Sequence, residues 1–257
     1  MVAFSGGVDS GVVLAGAVRV LGPDRVIAAT AVSGSLPGAE RDAAARFAAE
    51  LGVEHLTPST DELARPGYRA NGGDRCYFCK AELLDVLLPL AAEHGLAHVA
   101  TGTNADDQRA GFRPGIRAAA ERGAMTPLAD AGLTKDDVRQ VAREWSLTLW
   151  DKPAAACLSS RIAFGIQITP ERLARVERAE HGLRSALAKA GLHSRNLRVR
   201  DLGDTARVEV DAALMPTLAL RPELWAEMTG FDRVELDPVG FRSGAMNELL
   251  SDPARFR

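Results

Sequence analysis

The chain has 257 residues, 46% of them hydrophobic, which suffices for one large domain or two small ones. No apolar run approaches the roughly 20 residues that cross a bilayer, and three cysteines cannot form a complete disulfide set, so we expect a protein of the reducing cytoplasm. A net charge of −3 supplies no global attraction for nucleic acid, and we expect no nucleic-acid partner.

The first predicted elements are a buried strand at residues 1–4 and a helix at residues 11–20. The turn between them contains Gly6 and Gly7, which allow the backbone to approach phosphate oxygens closely. The free N–H groups at the start of the helix point at the same anion. Ser5 and Ser10 add hydroxyl donors. The turn is therefore predicted to bind a phosphate group.

Asp9 stands inside this turn. Its carboxylate would repel a bare phosphate, so its presence favours a bound Mg²⁺ or a role in fixing the amides of the loop. The turn lacks the Gly-Lys-Ser/Thr of a Walker A loop, which argues against a kinase-like phosphate site. The plain alternative is an ordinary glycine-rich turn between a strand and a helix.

The stretch Ser5-Gly-Gly-Val-Asp-Ser10 resembles the PP-loop of ATP pyrophosphatases, which cleave ATP between the α and β phosphates. The resemblance implies that Ser5, Gly6, Gly7, Asp9 and Ser10 bind ATP and hold pyrophosphate. It further implies that ATP, with Mg²⁺, activates an oxygen of the substrate as its adenylate before a nucleophile attacks.

Strands and helices alternate along the following residues. We predict strands at 25–32, 54–58 and 97–104 and helices at 38–51 and 80–94. This alternation predicts an α/β fold with a doubly wound parallel sheet. By resemblance the sheet is of the PP-loop, adenine nucleotide alpha hydrolase-like type.

Ligands of such sheets bind beyond the carboxyl ends of the strands. This rule brings the Ser5–Ser10 turn, residues 31–33 and residues 102–107 to one rim. The stretch Thr101-Gly-Thr-Asn-Ala-Asp-Asp resembles the second nucleotide motif of the superfamily, in which Gly102 permits close approach. Asp106 and Asp107 either orient metal and loop or are acidic residues at the start of a helix.

Cys76 and Cys79 form a C-x-x-C pair in Arg75-Cys-Tyr-Phe-Cys-Lys80. The pair is a redox dithiol, half of a metal site, or two cysteines that pack as small hydrophobic residues. The flanking Arg75 and Lys80 favour thiolates.

The third cysteine, Cys157, follows a strand predicted at residues 147–150, which would return it to the same rim. A zinc site normally has four protein ligands, and no histidine stands at a close, regular spacing from the cysteines. A [4Fe-4S] cluster held by Cys76, Cys79 and Cys157, with one iron open, suits the number of thiols and the softness of sulfur.

The stretch Trp150-Asp-Lys-Pro-Ala-Ala-Ala-Cys-Leu-Ser-Ser-Arg-Ile162 resembles the cysteine motif of the LarE-type ATP-dependent sacrificial sulfur transferases. Residues 168–180, 197–200 and 239–247 continue the resemblance. It implies adenylation of a carboxylate of pyridinium-3,5-biscarboxylic acid mononucleotide, a small-molecule substrate. Sulfur then replaces AMP, which builds the nickel-pincer nucleotide of lactate racemase, and Cys157 matches the sulfur-donor cysteine.

A sacrificial mechanism, in which Cys157 loses its own sulfur, does not need Cys76 and Cys79. The three cysteines resemble a cluster-dependent branch of the family. Our hypothesis is therefore that a hydrosulfide bound to the [4Fe-4S] cluster attacks the acyl-adenylate and that all three cysteines are ligands. The alternatives are the sacrificial route and a PP-loop tRNA thiolase, since several of those enzymes also hold a cluster.

The last third of the sequence predicts a helix at 170–190, two strands within 197–210, a helix at 212–228 and a strand near Val234. We therefore expect a smaller C-terminal α+β domain at 166–257 after a PP-loop domain at 1–165. The apolar positions of the helix at 170–190 are either core or a subunit contact. The resemblance implies a homo-oligomer, with a hexamer as one of its forms.

Arg198 and Arg200 alternate with apolar residues and project from one strand face, where two guanidinium groups suit a phosphate. By resemblance they hold the phosphate of the substrate, whereas the alternative is a solvated basic face. Arg161 is a further candidate for the substrate's charges, or for lowering the pKa of the cysteine, or for a salt bridge in its loop. Glu180 is a polar candidate for the same site, and Lys152 is a candidate phosphate clamp or a surface lysine.

Overall fold

The computed structural model describes residues 1–111, 113–154 and 156–249, without the side chains of residues 247 and 249. The chain forms two compact units. The first takes in residues 1–68 and the described part of 74–154, and the second takes in residues 69–73 and 156–249. The second unit thus begins at residue 156, earlier than the domain boundary expected from the sequence, and it includes a short segment from before the C-x-x-C pair.

The first unit contains a parallel sheet of three short strands in the order β1 (Val2–Ala3), β2 (Ile27–Ala29) and β3 (Glu54–Leu56). Isolated parallel bridges, Val2 to Ala100 and Ala100 to Met125, continue the pairing on the other side of β1. The predicted parallel α/β arrangement is confirmed. The strand expected at 97–104 is reduced to the bridges at Ala100.

Two helices of the first unit begin with the polar caps that their sequences predict. Asn104 and Asp107 form a capping box at one helix, and Thr134 and Asp137 form another. The α-helices up to residue 144 are α1 (Val8–Leu21), α2 (Gly38–Glu50), α3 (Pro66–Arg69), α4 (Arg75–Glu93), α5 (Ala105–Arg109), α6 (Pro114–Glu121), α7 (Pro127–Asp130) and α8 (Lys135–Glu144).

The core of this unit lies on both faces of the sheet. On one face, Phe4 packs against Phe47 with ring centroids 5.4 Å apart, and the apolar side of α1 is buried with them. On the other, Leu84 and Leu87 of α4 are fully buried. Burial of α1 places its first turn, and the loop before it, at the carboxyl end of β1.

The second unit contains the long helix α9 (Pro170–Lys189) and a sheet in the order β4 (Arg198–Asp201), β5 (Thr205–Glu209) and β6 (Arg233–Leu236). β4 and β5 are antiparallel, and β5 and β6 are parallel. The apolar positions of α9 are buried within the chain itself, so they are core residues: Leu173, Val176, Ala179 and Leu183.

Two sequence predictions of secondary structure are wrong. Residues 147–150 form turns instead of a strand, because Leu147 and Leu149 are buried in the core around α1 without pairing their backbones in the sheet. The helix expected at 212–228 is broken into short pieces, of which the α-helical one is α10 (Met215–Ala219). Pro222 lacks the N–H that a continuous helix requires.

The remaining helical segments are single 3₁₀ turns. They lie at Pro23–Arg25, Glu62–Ala64, Leu158–Arg161, Ala212–Leu214, Pro222–Leu224 and Ala245–Leu249. None of the helices in the described part of the chain combines the length and apolar character needed to cross a membrane.

Candidate active site

The Ser5–Ser10 loop forms the N-terminal end of α1. Gly6 has a φ of +74°, which favours glycine, and Gly7 is the extended residue that precedes the helix. The hydroxyl of Ser10 accepts a hydrogen bond from the N–H of Ser5 at 3.2 Å and donates to the carbonyl of Gly7 at 3.1 Å. The loop is thus closed on itself at a helix N-terminus, where backbone donors and the helix dipole favour an anion.

The loop opens into a cavity of about 320 Å³ in the first unit. Four of the predicted nucleotide-binding residues line it: Ser5, Asp9, Ser10 and Gly102. A Cβ at residue 102 would lie 2.6 Å from the backbone nitrogen of Ser10, so only glycine allows this approach of two backbones. The predicted convergence of the loop with residues 102–107 is therefore observed in the geometry of this unit.

Asp9 is held by two side chains from later in the chain. Its Oδ1 accepts a hydrogen bond from Nδ2 of Asn104 at 3.1 Å, and its Oδ2 contacts Nζ of Lys135. A carboxylate beside the hydroxyls of Ser5 and Ser10 fits Mg²⁺, which proteins bind through one or two carboxylates together with substrate phosphates.

Lys152 is tied to the loop. Its Nζ donates to the carbonyl of Gly6 at 2.9 Å and to Oε2 of Glu40 at 2.7 Å. The side chain therefore stabilises the turn at Gly6 instead of extending into solvent.

The C-x-x-C pair lies in the first turn of α4, with Cys76 exposed and Cys79 partly buried. The next residue, Lys80, lines the cavity together with Asp107. Burial of its ammonium lowers the pKa of Lys80, and the charges of Cys79, Cys76 and Asp107 oppose that shift. The pair thus neighbours a cation that lines the same cavity as the Ser5–Ser10 loop.

None of the three cysteines, all within the described ranges, forms a disulfide. Over those same ranges, no three His, Cys, Asp or Glu side chains are grouped so as to hold a metal ion. The expected [4Fe-4S] cluster is therefore not shown by the structure, and Cys157 belongs to a different unit from Cys76 and Cys79.

In the second unit, Arg161 organises the loop that carries Cys157. Its guanidinium donates to the carbonyls of Ala156 and Cys157 at 2.6 and 2.9 Å. It also forms a bidentate pair with Glu180, at 2.8 and 3.1 Å. Glu180 accepts a third hydrogen bond from the N–H of Val199. Arg161 and Glu180 are therefore paired with each other and fix the cysteine loop to α9 and β4.

Both arginines of β4 are buried, and so is Val199 between them. The expectation of one open strand face is thus not met. Arg200 donates to Oε2 of Glu209 at 2.7 Å and to the carbonyl of Ser160 at 3.1 Å. Its Nε is buried without a hydrogen-bond partner among the described residues. An arginine with one donor unused is able to accept an anion.

Arg198 lies over the ring of Phe241, 5.4 Å from its centroid, and donates to the carbonyl of Leu197 at 2.8 Å. Burial, followed by the nearby charge of Arg161, lowers the pKa of Arg198 to about 10. Arg198 is therefore a buried cation and not a solvated surface arginine.

Sequence reasoning missed Lys135 and Asn104 as partners of Asp9, and it named Lys80 only as a neighbour of the cysteines. Asn104 lies within the second nucleotide motif, so the motif itself was the available signal. For Lys135 the signal was a lysine at the first position of a capped helix, where a cation is disfavoured.

Comparison with known proteins gives two full-length relatives. An uncharacterised protein of Synechocystis, slr1717, is 43% identical over 98% of this chain and 92% of its own length. The pyridinium-3,5-bisthiocarboxylic acid mononucleotide synthase of Lactiplantibacillus plantarum is 38% identical over 97% of this chain and 89% of its own.

An uncharacterised protein of Methanocaldococcus jannaschii, MJ0830, is 30% identical over 67% of this chain and 66% of its own length. No protein-family model matches the chain. The synthase aligns along almost the entire sequence. The chain therefore belongs to the LarE family, that of the pyridinium-3,5-bisthiocarboxylic acid mononucleotide synthases.

Proposed function

We propose that the protein is an ATP-dependent sulfur transferase that converts a carboxylate of pyridinium-3,5-biscarboxylic acid mononucleotide into a thiocarboxylate, in the biosynthesis of the nickel-pincer nucleotide. The observation that carries this proposal is the 38% identity, over 97% of the chain, to a synthase of the corresponding bisthiocarboxylic acid.

The ATP half of the reaction belongs to the first unit, with a doubly wound PP-loop fold and Mg²⁺ bound at Asp9. A carboxylate is a poor electrophile until one oxygen becomes a leaving group, and adenylation makes AMP that group. The backbone donors at Gly6 and Gly7 and the hydroxyls of Ser5 and Ser10 bind the departing pyrophosphate. The hydrogen bonds that Ser10 makes within the loop support this role, because they hold the backbone donors in place before the reaction.

The acceptor half belongs to the second unit. We assign Arg198 and Arg200 to the phosphate of the mononucleotide. The unused Nε of Arg200 and the depressed pKa of Arg198 support the assignment, since both describe buried cations that an anion would stabilise. Arg161 and Glu180 position the loop of Cys157.

The sulfur half depends on Cys157, with Cys76 and Cys79 as further ligands in the cluster hypothesis. A [4Fe-4S] cluster would supply a deprotonated hydrosulfide as nucleophile. The hypothesis rests on the number and softness of the thiols. The alternative is direct donation of the sulfur of Cys157.

Iron and sulfide analysis of anaerobically purified protein, with counting of product per chain, tests the sulfur half. The cluster hypothesis predicts about four irons per chain, many product molecules when sulfide is supplied, and loss of iron in Cys76→Ser. An iron-free protein that makes at most one thiocarboxylate per chain would overturn it in favour of direct donation, and Cys79→Ser would then retain full single-turnover yield.

We further propose that the enzyme acts in the cytoplasm as a homo-oligomer. The first statement follows from the number of cysteines, and the second follows from the family resemblance. Sedimentation velocity of the purified protein tests the second, and a monomer at micromolar concentration would contradict it.

A further inference from the structure

Asp9, the one carboxylate of the PP-loop, already has a cation in this structure. Nζ of Lys135 contacts Oδ2, and Asn104 donates to Oδ1. Both oxygens of the carboxylate are therefore engaged. The side chains of Lys135 and Asp9 are 34% and 22% exposed, so solvent screens their attraction less than that of a surface pair.

The position of Lys135 has no local explanation. It is the first residue of α8, where the helix dipole disfavours a cation. Its own N–H donates to Oδ2 of Asp106 at 2.8 Å, and the capping box of Thr134 and Asp137 holds the surrounding turn. The backbone is therefore fixed, and the side chain leaves the helix for a partner 126 positions earlier in the chain.

Asp9 lines the cavity into which the phosphates of ATP must enter. Two like charges a few ångströms apart repel strongly where water is partly excluded. A polyphosphate that approached an uncompensated Asp9 would meet this repulsion. In the structure the ammonium of Lys135 cancels it.

We propose that Lys135 is a built-in counter-ion of Asp9, which neutralises the carboxylate before ATP binds and yields Oδ2 when ATP arrives with a divalent cation. The proposal rests on the ATP-dependent function proposed above. Asn104 keeps Oδ1 throughout, so the carboxylate keeps its orientation while Asp9 exchanges one cation for another. Lys135, once released, faces the incoming phosphate oxygens. Lys135 is thus a positioning residue that pairs first with Asp9 and then with the phosphate of ATP.

Binding measurements on the whole chain test the exchange. Mn²⁺ binding is followed by electron paramagnetic resonance, and ATP binding by calorimetry, in EDTA and in Mn²⁺. In Lys135→Gln we expect Mn²⁺ alone to bind about tenfold more tightly, because its competitor is gone, and metal-free ATP about tenfold more weakly. Lys135→Arg keeps the charge and stays near wild type. Lys189→Gln removes the same charge from an exposed site outside the cavity and is the matched control.

A Lys135→Gln protein that melts like the wild type, yet binds Mn²⁺ and metal-free ATP with unchanged affinities, overturns the inference and leaves the ATP site standing. A wild-type protein that binds no ATP with or without Mn²⁺ overturns the proposed function, and the inference with it.

A second variant, Asp9→Asn, tests the same proposal if Lys135→Gln fails to fold. Asp9→Asn leaves Lys135 without its carboxylate, so metal-free ATP should bind more tightly than to wild type while Mn²⁺ alone loses its site. Weaker binding of metal-free ATP to Asp9→Asn would contradict the counter-ion role. In the Asp9→Asn background, adding Lys135→Gln should no longer tighten Mn²⁺ binding.

Discussion

Single residues of the second unit carry charges that water hardly reaches. Glu180 and Arg161 are paired at 2.8 Å with side chains 10% and 4% exposed, and Glu180 also accepts the N–H of Val199. A buried pair of this kind contributes little net stability as a whole, but removal of one partner strands the other. Both residues were predicted from the sequence as candidates for binding substrate. Their contacts show instead that they hold the Cys157 loop in place.

Glu180→Ala should therefore destabilise the protein by about 3–5 kcal/mol, because a buried guanidinium and a backbone N–H lose their acceptor. Urea unfolding followed by circular dichroism measures the change. The control is Glu223→Ala, which breaks the exposed pair with Arg221 and should leave the free energy of unfolding unchanged within error. Equal losses in the two variants would contradict the buried role of Glu180.

His55 makes the stability of the protein depend on pH. Thr30 donates its hydroxyl hydrogen to the carbonyl of Phe4, so it accepts from Nε2 of His55 at 2.8 Å. Burial lowers the pKa of His55 below its ordinary value of 6.5. Between the folded and unfolded pKa values the unfolded chain binds more protons, so stability falls as the pH falls below 6.5.

The free energy of unfolding, measured in urea from pH 7.5 to pH 5, should therefore show a downward slope that His55→Gln reduces. His94→Gln, at an exposed position, should keep the wild-type slope. Identical slopes in wild type and His55→Gln would show that His55 does not contribute to the pH dependence.

Among the structural elements, α1 begins in a tightly packed place. Residue 102 touches its first turn so closely that a Cβ would lie 2.6 Å from the nitrogen of Ser10. Gly182 in α9 has no atom within 4 Å of the equivalent position. Gly102 is therefore required for the close contact of two backbones, whereas Gly182 is replaceable by a larger residue.

Gly102→Ala should displace the start of α1, with a loss of about 1–3 kcal/mol of stability. ATP affinity should fall by about tenfold or more, because a misplaced loop loses its oriented donors. Calorimetry with ATP and thermal melting measure the two effects. Gly182→Ala should instead stabilise its helix by about 0.4–1 kcal/mol and leave ATP affinity unchanged. Wild-type affinity in Gly102→Ala would contradict the role of the contact.

Some of the structural elements and contacts could be predicted from the sequence, and others could not. The loop before α1 was predictable, because two glycines and two hydroxyls at a strand-to-helix turn have few other uses. The turn at residues 147–150 was not predictable, since alternating apolar residues indicate burial but do not show that the backbone pairs in a sheet. The pairing of Lys135 with Asp9 joins residues 126 positions apart, and no local pattern encodes such a distance.

The molecule as a whole divides the chemistry between two units. The first holds the cavity at the Ser5–Ser10 loop and the C-x-x-C pair, and the second holds Cys157 and the arginines of β4. This division follows the order of the proposed reaction, in which ATP activates the carboxylate before sulfur replaces AMP. It also explains why Arg161, predicted within the first domain, belongs with Glu180 in the second.

The central claim is that adenylation and sulfur transfer occur on this one chain. Incubation with ATP, Mg²⁺, a sulfide source and pyridinium-3,5-biscarboxylic acid mononucleotide, followed by mass spectrometry and pyrophosphate assay, tests it most directly. The wild type should release pyrophosphate and exchange a carboxylate oxygen for sulfur, whereas Cys157→Ser should release pyrophosphate without forming the thiocarboxylate. Absence of pyrophosphate from the wild type, or thiocarboxylate from Cys157→Ser, would contradict the account.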